Sequence, residues 1–170
     1  MEKNLQKNTM STEQYHFAFE LYESSDDLNT QDSFLLSEAR AVTQFAYAPY
    51  SNFNVGATAR LVNGEIVTGT NQENASYPAG ICAERVLLSS ASSQYPGIAI
   101  EAMAISYHNL KGRSDKPVSP CGICRQTLTE FQQRTQHPIR IILSGMEGPV
   151  QVIENAEFLL PFCFGSKDLH

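Results

Sequence analysis

Apolar and polar side chains alternate near the start of the chain. The apolar positions are Tyr15, Phe17, Phe19 and Leu21. A period of two is typical of a strand with one buried face. This segment is therefore expected to form an additional strand at the edge of a sheet.

The spacing then changes to that of a helix. Residues 24–32 are mostly polar and supply turn and capping side chains. The apolar positions after them recur at helical spacing and define one face: Phe34, Leu35, Ala39, Val42 and Ala46. We expect this helix to stop before Pro49, because proline cannot continue a helix.

A second alternation predicts a hairpin. Its apolar positions are Phe53, Val55, Ala57, Ala59 and Leu61, followed after Asn63-Gly64 by Ile66 and Val67. Asn-Gly between two such runs is a strong signal for a tight turn. Two antiparallel strands are therefore expected.

The remainder of the chain alternates between helices and buried strands. The pattern predicts a helix over 82–93, a strand over 98–107, a helix over 121–134 and a strand over 139–143. A helix between two strands implies a right-handed parallel crossover. The expected fold class is α/β, a three-layer α/β/α sandwich with a mixed β-sheet.

Composition narrows the class of protein. The 170 residues, 42% of them hydrophobic, suit one domain over 13–170 after a flexible segment over 1–12. The net charge of -6 opposes binding of long nucleic acids and favours a small substrate. No stretch approaches the roughly 18 apolar residues that cross a bilayer. We expect a cytoplasmic protein.

The cysteines carry the candidate chemistry. Cys82-Ala83-Glu84 and Pro120-Cys121-Gly122-Ile123-Cys124 place three thiols at short spacings, with both motifs at predicted helix starts. Disulfides, a redox dithiol and a structural zinc site are alternatives, the last with His108 or His137 as a fourth ligand. A catalytic zinc site has three protein ligands and a water whose pKa the metal lowers. Cys163, among large apolar residues, is expected to be a buried filler.

Three thiolates around Zn²⁺ leave a net negative charge, which opposes the acidity of the bound water. The two helix N-termini offset part of this charge. Arg85, directly after Glu84, is a further candidate for charge compensation, whereas the role of Arg125 is less defined.

Four motifs together resemble the small homotetrameric cytidine deaminases. They are AYAPYSNFNVGA at 46–57, NQENASYP at 71–78, CAER at 82–85 and SPCGICRQ at 119–126. The resemblance implies a cytidine-deaminase-like fold and one zinc ion per subunit. It also implies hydrolysis of cytidine and 2'-deoxycytidine to uridine and 2'-deoxyuridine, with release of ammonia, in pyrimidine salvage. A homotetramer is implied too, with active sites at subunit contacts and Phe164 reaching a neighbour's pocket.

Residue roles follow from the same resemblance. It implies zinc binding by Cys82, Cys121 and Cys124. Glu84 would be the general acid and base, moving protons between water, the pyrimidine N3 and the leaving amine. The implied substrate-binding residues are Phe53 against the pyrimidine, Asn71 and Glu73 on the ribose, and Ala83. The chain departs from the family in the segment before Phe34, in Gln72, and in a long polar loop over 108–116, which we expect near the mouth of the site.

Three other functions are open. A deaminase of another aminopyrimidine nucleoside, such as blasticidin S, would share the cysteine motifs, but the residues Asn71 to Asn74 favour a ribose. A polynucleotide-editing deaminase should carry a basic groove. A non-catalytic, zinc-stabilised binding module would keep the cysteines and have no use for Glu84.

Overall fold

The fold is built on a mixed sheet of six strands. The computed structural model describes residues 10–169. The strands are β1 (Glu20–Tyr22), β2 (Phe53–Leu61), β3 (Ile66–Thr70), β4 (Ile100–Asn109), β5 (Arg140–Ser144) and β6 (Val150–Ile153). The helices are α1 (Thr30–Val42), α2 (Ala83–Gln94) and α3 (Gly122–Thr135). Short 3-10 turns lie at Ser25–Asp27, Thr43–Phe45, Tyr77–Ala79, Ala156–Leu159 and Ser166–Leu169.

The strand order is β1-β6-β5-β4-β2-β3. Strands β2 and β3 form the antiparallel hairpin predicted around Asn63-Gly64. Strands β4 and β5 are parallel and are joined through α3, as expected for a parallel connection. The other neighbouring strands pair antiparallel.

Helices cover both faces of the sheet. On β4, Met103 and Ile105 belong to one core with residues of α2 and α3. Ala102 and Ala104, which alternate with them, belong to a second core with α1. A strand buried on both faces reads as a continuous apolar run, as the β4 sequence does. The three-layer α/β/α sandwich is confirmed.

Two glycines let the helices approach the sheet closely. A Cβ at Gly56 would overlap the carbonyl oxygen of Ala39 in α1. A Cβ at Gly69 would lie 2.5 Å from both the Ala83 carbonyl oxygen and the Leu87 amide nitrogen in α2. The strands of the hairpin therefore fix the positions of α1 and α2.

The edge strand is shorter than predicted. Strand β1 lies at the sheet edge, but only Glu20–Tyr22 pair, opposite Val150 to Val152. Strand β6 ends at Ile153, so residues 15–18 have no strand beside them. Within this unpaired segment, the Phe17 ring stacks on the Phe158 ring, with ring centroids 5.6 Å apart.

Two further elements differ from the sequence prediction. Helix α1 begins at Thr30, with Asn29 as its N-cap, and Phe34 is half exposed rather than on the buried face. The buried α1 face is formed by Leu35, Leu36 and Ala39. Strand β6 was not predicted.

An ion-pair cluster ties β1 to the rest of the sheet. The Arg140 guanidinium lies 2.9 Å from Asp32 and 3.3 Å from Glu20, and it also pairs with Glu154. The division into a flexible segment over 1–12 and one domain over 13–170 stays a prediction, and residues 1–9 lie outside the described part. Within residues 10–169, no helix has the length and hydropathy to cross a membrane.

Candidate active site

A cavity of about 190 Å³ opens where the carboxyl ends of β4 and β5 meet the N-termini of α2 and α3. Ligands of α/β sheets commonly bind at the carboxyl ends of parallel strands. Six of the residues predicted for the site line this cavity: Phe53, Asn71, Cys82, Ala83, Glu84 and Cys121. The topology therefore brings most of the predicted site together.

The three thiols form a cluster suited to a tetrahedral metal ion. The Sγ atoms of Cys121 and Cys124 are 3.5 Å apart, and those of Cys82 and Cys121 are 3.9 Å apart. Zn–S bonds of about 2.3 Å at tetrahedral angles require sulfurs about 3.8 Å apart. The three sulfurs, all within 4.8 Å of one another, are therefore spaced to bind one zinc ion, with one position left for a ligand from the cavity.

The thiols of the cluster shift one another's pKa values. The Cys124 thiol, as hydrogen-bond donor, lowers the pKa of Cys82 to about 6, against burial and the Glu84 carboxylate. The pKa of Cys124 is raised, first by its bond to Cys82 and then by burial. A bound divalent cation would favour the thiolate form of all three sulfurs, because cysteine ligands bind metal deprotonated.

The structure supports neither a disulfide nor a closed structural zinc site. All four cysteines are free thiols. In residues 10–169, Cys82, Cys121 and Cys124 form the one group of three or more potential metal ligands. His108 and His137, considered as fourth ligands, do not belong to it. A closed structural site is therefore not formed by the described chain.

Glu84 lies in the first turn of α2 and is 5% exposed. Burial raises the pKa of Glu84, while its own backbone N–H and the Cys124 thiol act in the opposite direction. It lines the cavity beside Cys82 and Cys121. A carboxyl group with a raised pKa next to a thiol cluster that can bind a metal ion is suited to carrying a proton.

Both helix starts direct backbone N–H groups at the cluster. Cys82 is the N-cap of α2 and Cys121 the N-cap of α3, and neither side chain caps its helix. The first N–H groups are thus available to the sulfurs. Arg85 does not line the cavity, but its charge contributes to lowering the pKa of Cys82, after the larger effect of the Cys124 thiol.

Asn71 joins the cavity to the start of β2. Its Oδ1 accepts from the Val55 N–H at 2.7 Å, and its Nδ2 donates to the Phe53 carbonyl at 2.9 Å. The Phe53 ring stacks on Tyr107, with centroids 4.7 Å apart and planes 10° from parallel. The Asn71 side chain therefore holds the backbone that presents the Phe53 ring.

Glu73 is not among the residues that line the cavity. Its carboxylate accepts from the Tyr50 N–H at 2.9 Å and the Ser51 N–H at 3.3 Å. The Ser51 hydroxyl, followed by these N–H groups, lowers the pKa of Glu73. In the single chain, Glu73 fixes the loop before β2.

Several lining residues were not identified from the sequence. They are Val55, Ile105, Ser106, Tyr107, Val118, Ser119 and Ser144. Ser106 and Tyr107 lie near the end of the predicted strand β4, and this position could have drawn attention to them. Ser119 belongs to the second cysteine motif. The loop expected near the site reaches it through Val118 and Ser119 rather than through residues 108–116.

Cys163 and Arg125 also have defined places. Cys163 is partly exposed rather than buried, and its sulfur lies 3.8 Å from the Gln133 amide nitrogen. The Arg125 side chain donates to the carbonyls of Pro120 and Leu159. Arg125 thus contacts the backbone next to a metal-ligand candidate rather than the cavity.

The fold and the site define a zinc-binding α/β/α protein with a carboxyl group beside the three metal-binding thiols. Residues 29–137 match the family model for the cytidine and deoxycytidylate deaminase zinc-binding region. The chain belongs to this family. Strand β1 lies before the matched region, and strands β5 and β6 lie after it.

Relatives and solved structures agree with this assignment. The chain is 34% identical to the cytidine deaminase of Halalkalibacterium halodurans, over 80% of this chain and 96% of the relative. It is 35% identical to that of Mycobacterium tuberculosis, over 73% and 82%. The crystal structure of the Burkholderia pseudomallei cytidine deaminase is similar, with a TM-score of 0.67 and 37% identity, over 81% of this chain and all of that one.

Proposed function

We propose that this protein is a hydrolase that converts cytidine and 2'-deoxycytidine to uridine and 2'-deoxyuridine with release of ammonia. The observation that carries this proposal is Glu84, buried beside three clustered thiols in a cavity bounded by Phe53 and Asn71. A non-catalytic zinc module would not need a carboxyl group with a raised pKa inside such a cavity.

In this reaction the cysteines bind the metal and Glu84 transfers protons. Cys82, Cys121 and Cys124 hold zinc, which when bound supplies a water of lowered pKa. Glu84 takes a proton from the attacking water and gives it to N3 of the pyrimidine, so that C4 becomes more electrophilic. The water oxygen bonds to C4. Glu84 then passes the remaining proton of that oxygen to the amino group, which leaves as ammonia while the ring becomes uracil.

The other residues bind and orient the nucleoside. The free face of the Phe53 ring packs against the pyrimidine, while Tyr107 supports the opposite face of Phe53. The Ala83 N–H, at the start of α2, is available to the base carbonyl. Asn71, which lines the cavity, and Glu73, which lies outside it in the single chain, contact the ribose hydroxyls, for which an amide and a carboxylate supply donors and acceptors. Arg85 offsets the thiolate charge.

The activity is tested by following absorbance of cytidine and 2'-deoxycytidine with zinc-loaded protein. The native chain should convert both. Glu84→Gln should retain zinc and lose about 10²–10⁴-fold in kcat, the range for general acid-base catalysis. Glu130→Gln, at an exposed position on α3, is the matched control and should keep full activity.

The alternatives give different outcomes in the same assay. A native, zinc-loaded protein that leaves both nucleosides unchanged would contradict the proposal. Turnover of blasticidin S instead would favour the related aminopyrimidine deaminase. A non-catalytic binding module would turn over none of these substrates, in either the native or the Glu84→Gln form.

We also propose that the working form is a homotetramer. Aromatic side chains are exposed on the single chain, with Phe162 99%, Tyr77 75% and Phe164 60% exposed. Exposed apolar side chains that join into a contiguous patch often mark an interface. Sedimentation equilibrium of the native protein should give four chains, and a monomer at micromolar concentration would contradict this. The cytoplasmic location and the role in pyrimidine salvage stay predictions.

A further inference from the structure

The backbone of the segment that leads into Cys121 makes few hydrogen bonds. Residues 115–120 connect the end of the polar loop to α3, and Pro117 and Pro120 within it have no N–H to donate. Cys121 is exposed, whereas Cys124 is fully buried. Of the two ligands that α3 provides, Cys121 is therefore the less enclosed, and the buried Pro120 directly before it is the point through which its position can be fixed.

That contact comes from Arg125. Among the hydrogen bonds of residues 10–169, the backbone of 115–120 takes part in one, from Arg125 Nε to the Pro120 carbonyl at 2.9 Å. The same guanidinium donates from Nη1 to the Leu159 carbonyl at 3.1 Å. Leu159 is 8% exposed and belongs to the larger hydrophobic core. The side chain thus links the residue before Cys121 to a fixed point.

An arginine is suited to this bridge. Its planar guanidinium donates in several fixed directions and stays charged, whereas a lysine ammonium is a single point on a flexible chain. Partners that orient metal ligands typically contribute 10–100-fold to metal affinity. We propose that Arg125 is a positioning residue that holds Cys121 in the zinc-binding geometry by bridging Pro120 to Leu159. This inference rests on the zinc site of the proposed function.

The test is a measurement of Zn²⁺ affinity by chelator competition on the full chain. Arg125→Gln should bind Zn²⁺ about 10–100-fold more weakly than the native chain. Arg125→Lys should recover part of this loss, because an ammonium can reach one of the two carbonyls.

Gln126→Ala is the matched control. Gln126 is the next residue of α3 and donates to the Phe164 carbonyl at 2.8 Å, so it also holds the C-terminal segment. It makes no hydrogen bond to residues 115–120. Its loss should change Zn²⁺ affinity by less than about twofold, the residual scatter expected for a residue outside the ligand support.

A spectroscopic readout separates ligand geometry from general stability. In Co²⁺-substituted protein, thiolate-to-metal charge-transfer absorbance should fall in Arg125→Gln and stay native in Gln126→Ala, while the two metal-free variants unfold at similar temperatures. Native Zn²⁺ affinity and Co²⁺ absorbance in a folded Arg125→Gln would overturn the inference. If Arg125→Gln does not fold, Arg125→Lys carries the same comparison. Failure of the native chain to deaminate cytidine would instead count against the proposed function. The metal measurements would still test the role of Arg125, because they do not depend on activity.

Discussion

The two helices that carry the metal ligands are held by different means. Ile81, the residue before Cys82, exchanges two backbone hydrogen bonds with Gln72, both 2.9 Å long. Pro120, the residue before Cys121, is held by the Arg125 side chain. In hydrogen bonding, the start of α2 is thus fixed by the backbone, and that of α3 by one side chain. Backbone pairing tolerates side-chain changes, whereas the α3 side depends on a particular residue.

The largest contrast is expected in hydrogen exchange. The Gln72 and Ile81 amides should open only with much of the fold, so their exchange free energies should approach the free energy of unfolding, about 5 kcal/mol or more. The amides of 116, 118 and 119, which have no backbone partner within residues 10–169, should exchange close to the unprotected rate. Native-state exchange by NMR measures both, and equal protection would break the comparison.

Gly69→Ala should have the next largest effect. The added Cβ would meet backbone atoms of Ala83 and Leu87 in α2, which cannot move as a flexible side chain does. The free energy of unfolding should fall by about 1–3 kcal/mol, as for other overpacked cores. Urea denaturation measures it. Because Cys82 and Glu84 move with α2, kcat should fall as well, and an unchanged kcat would show that α2 is less rigid than we infer.

Gly145→Ala tests the α3 side in the same way. Its Cβ would overlap the carbonyl oxygen of Ser114, just before the weakly held segment. Because Ser114 lies in a connecting loop rather than in a helix packed on the sheet, its backbone has more room to adjust, and we expect a smaller loss of stability, about 0.5–1.5 kcal/mol. The loss of Zn²⁺ binding free energy should exceed the loss of unfolding free energy. A loss of stability larger than that of Gly69→Ala would reverse the proposed order.

Gly122→Ala should have the smallest effect and the opposite sign. A Cβ at this first position of α3 meets no atom within 4 Å, and its φ is not positive. Replacing a helical glycine by alanine reduces the entropy of the unfolded chain and stabilises by about 0.4–1 kcal/mol. Thermal unfolding of the metal-free chain should show a raised Tm. A lowered Tm would mean that the start of α3 is more tightly enclosed than the single chain shows.

The fold was predicted well where the patterns are local. The hairpin around Asn63-Gly64, the parallel β4–β5 pair and all three helices follow from periodicity and turn residues. Strand β6 is only four residues long, and its place depends on pairing with β5 and β1 rather than on its own pattern. The same dependence shortened β1, since a strand cannot extend beyond its partner.

The sequence by itself determined the metal-ligand candidates, Glu84 and the starts of their helices. The reason is that Cys121 and Cys124 lie within one helical turn, and Cys82 and Glu84 lie within another. Only the tertiary structure brought Cys82 to within 3.9 Å of Cys121, 39 positions away. It alone placed Tyr107 behind Phe53 and Arg125 between Pro120 and Leu159. Contacts of this kind depend on which surfaces pack together, and local spacing carries no record of that.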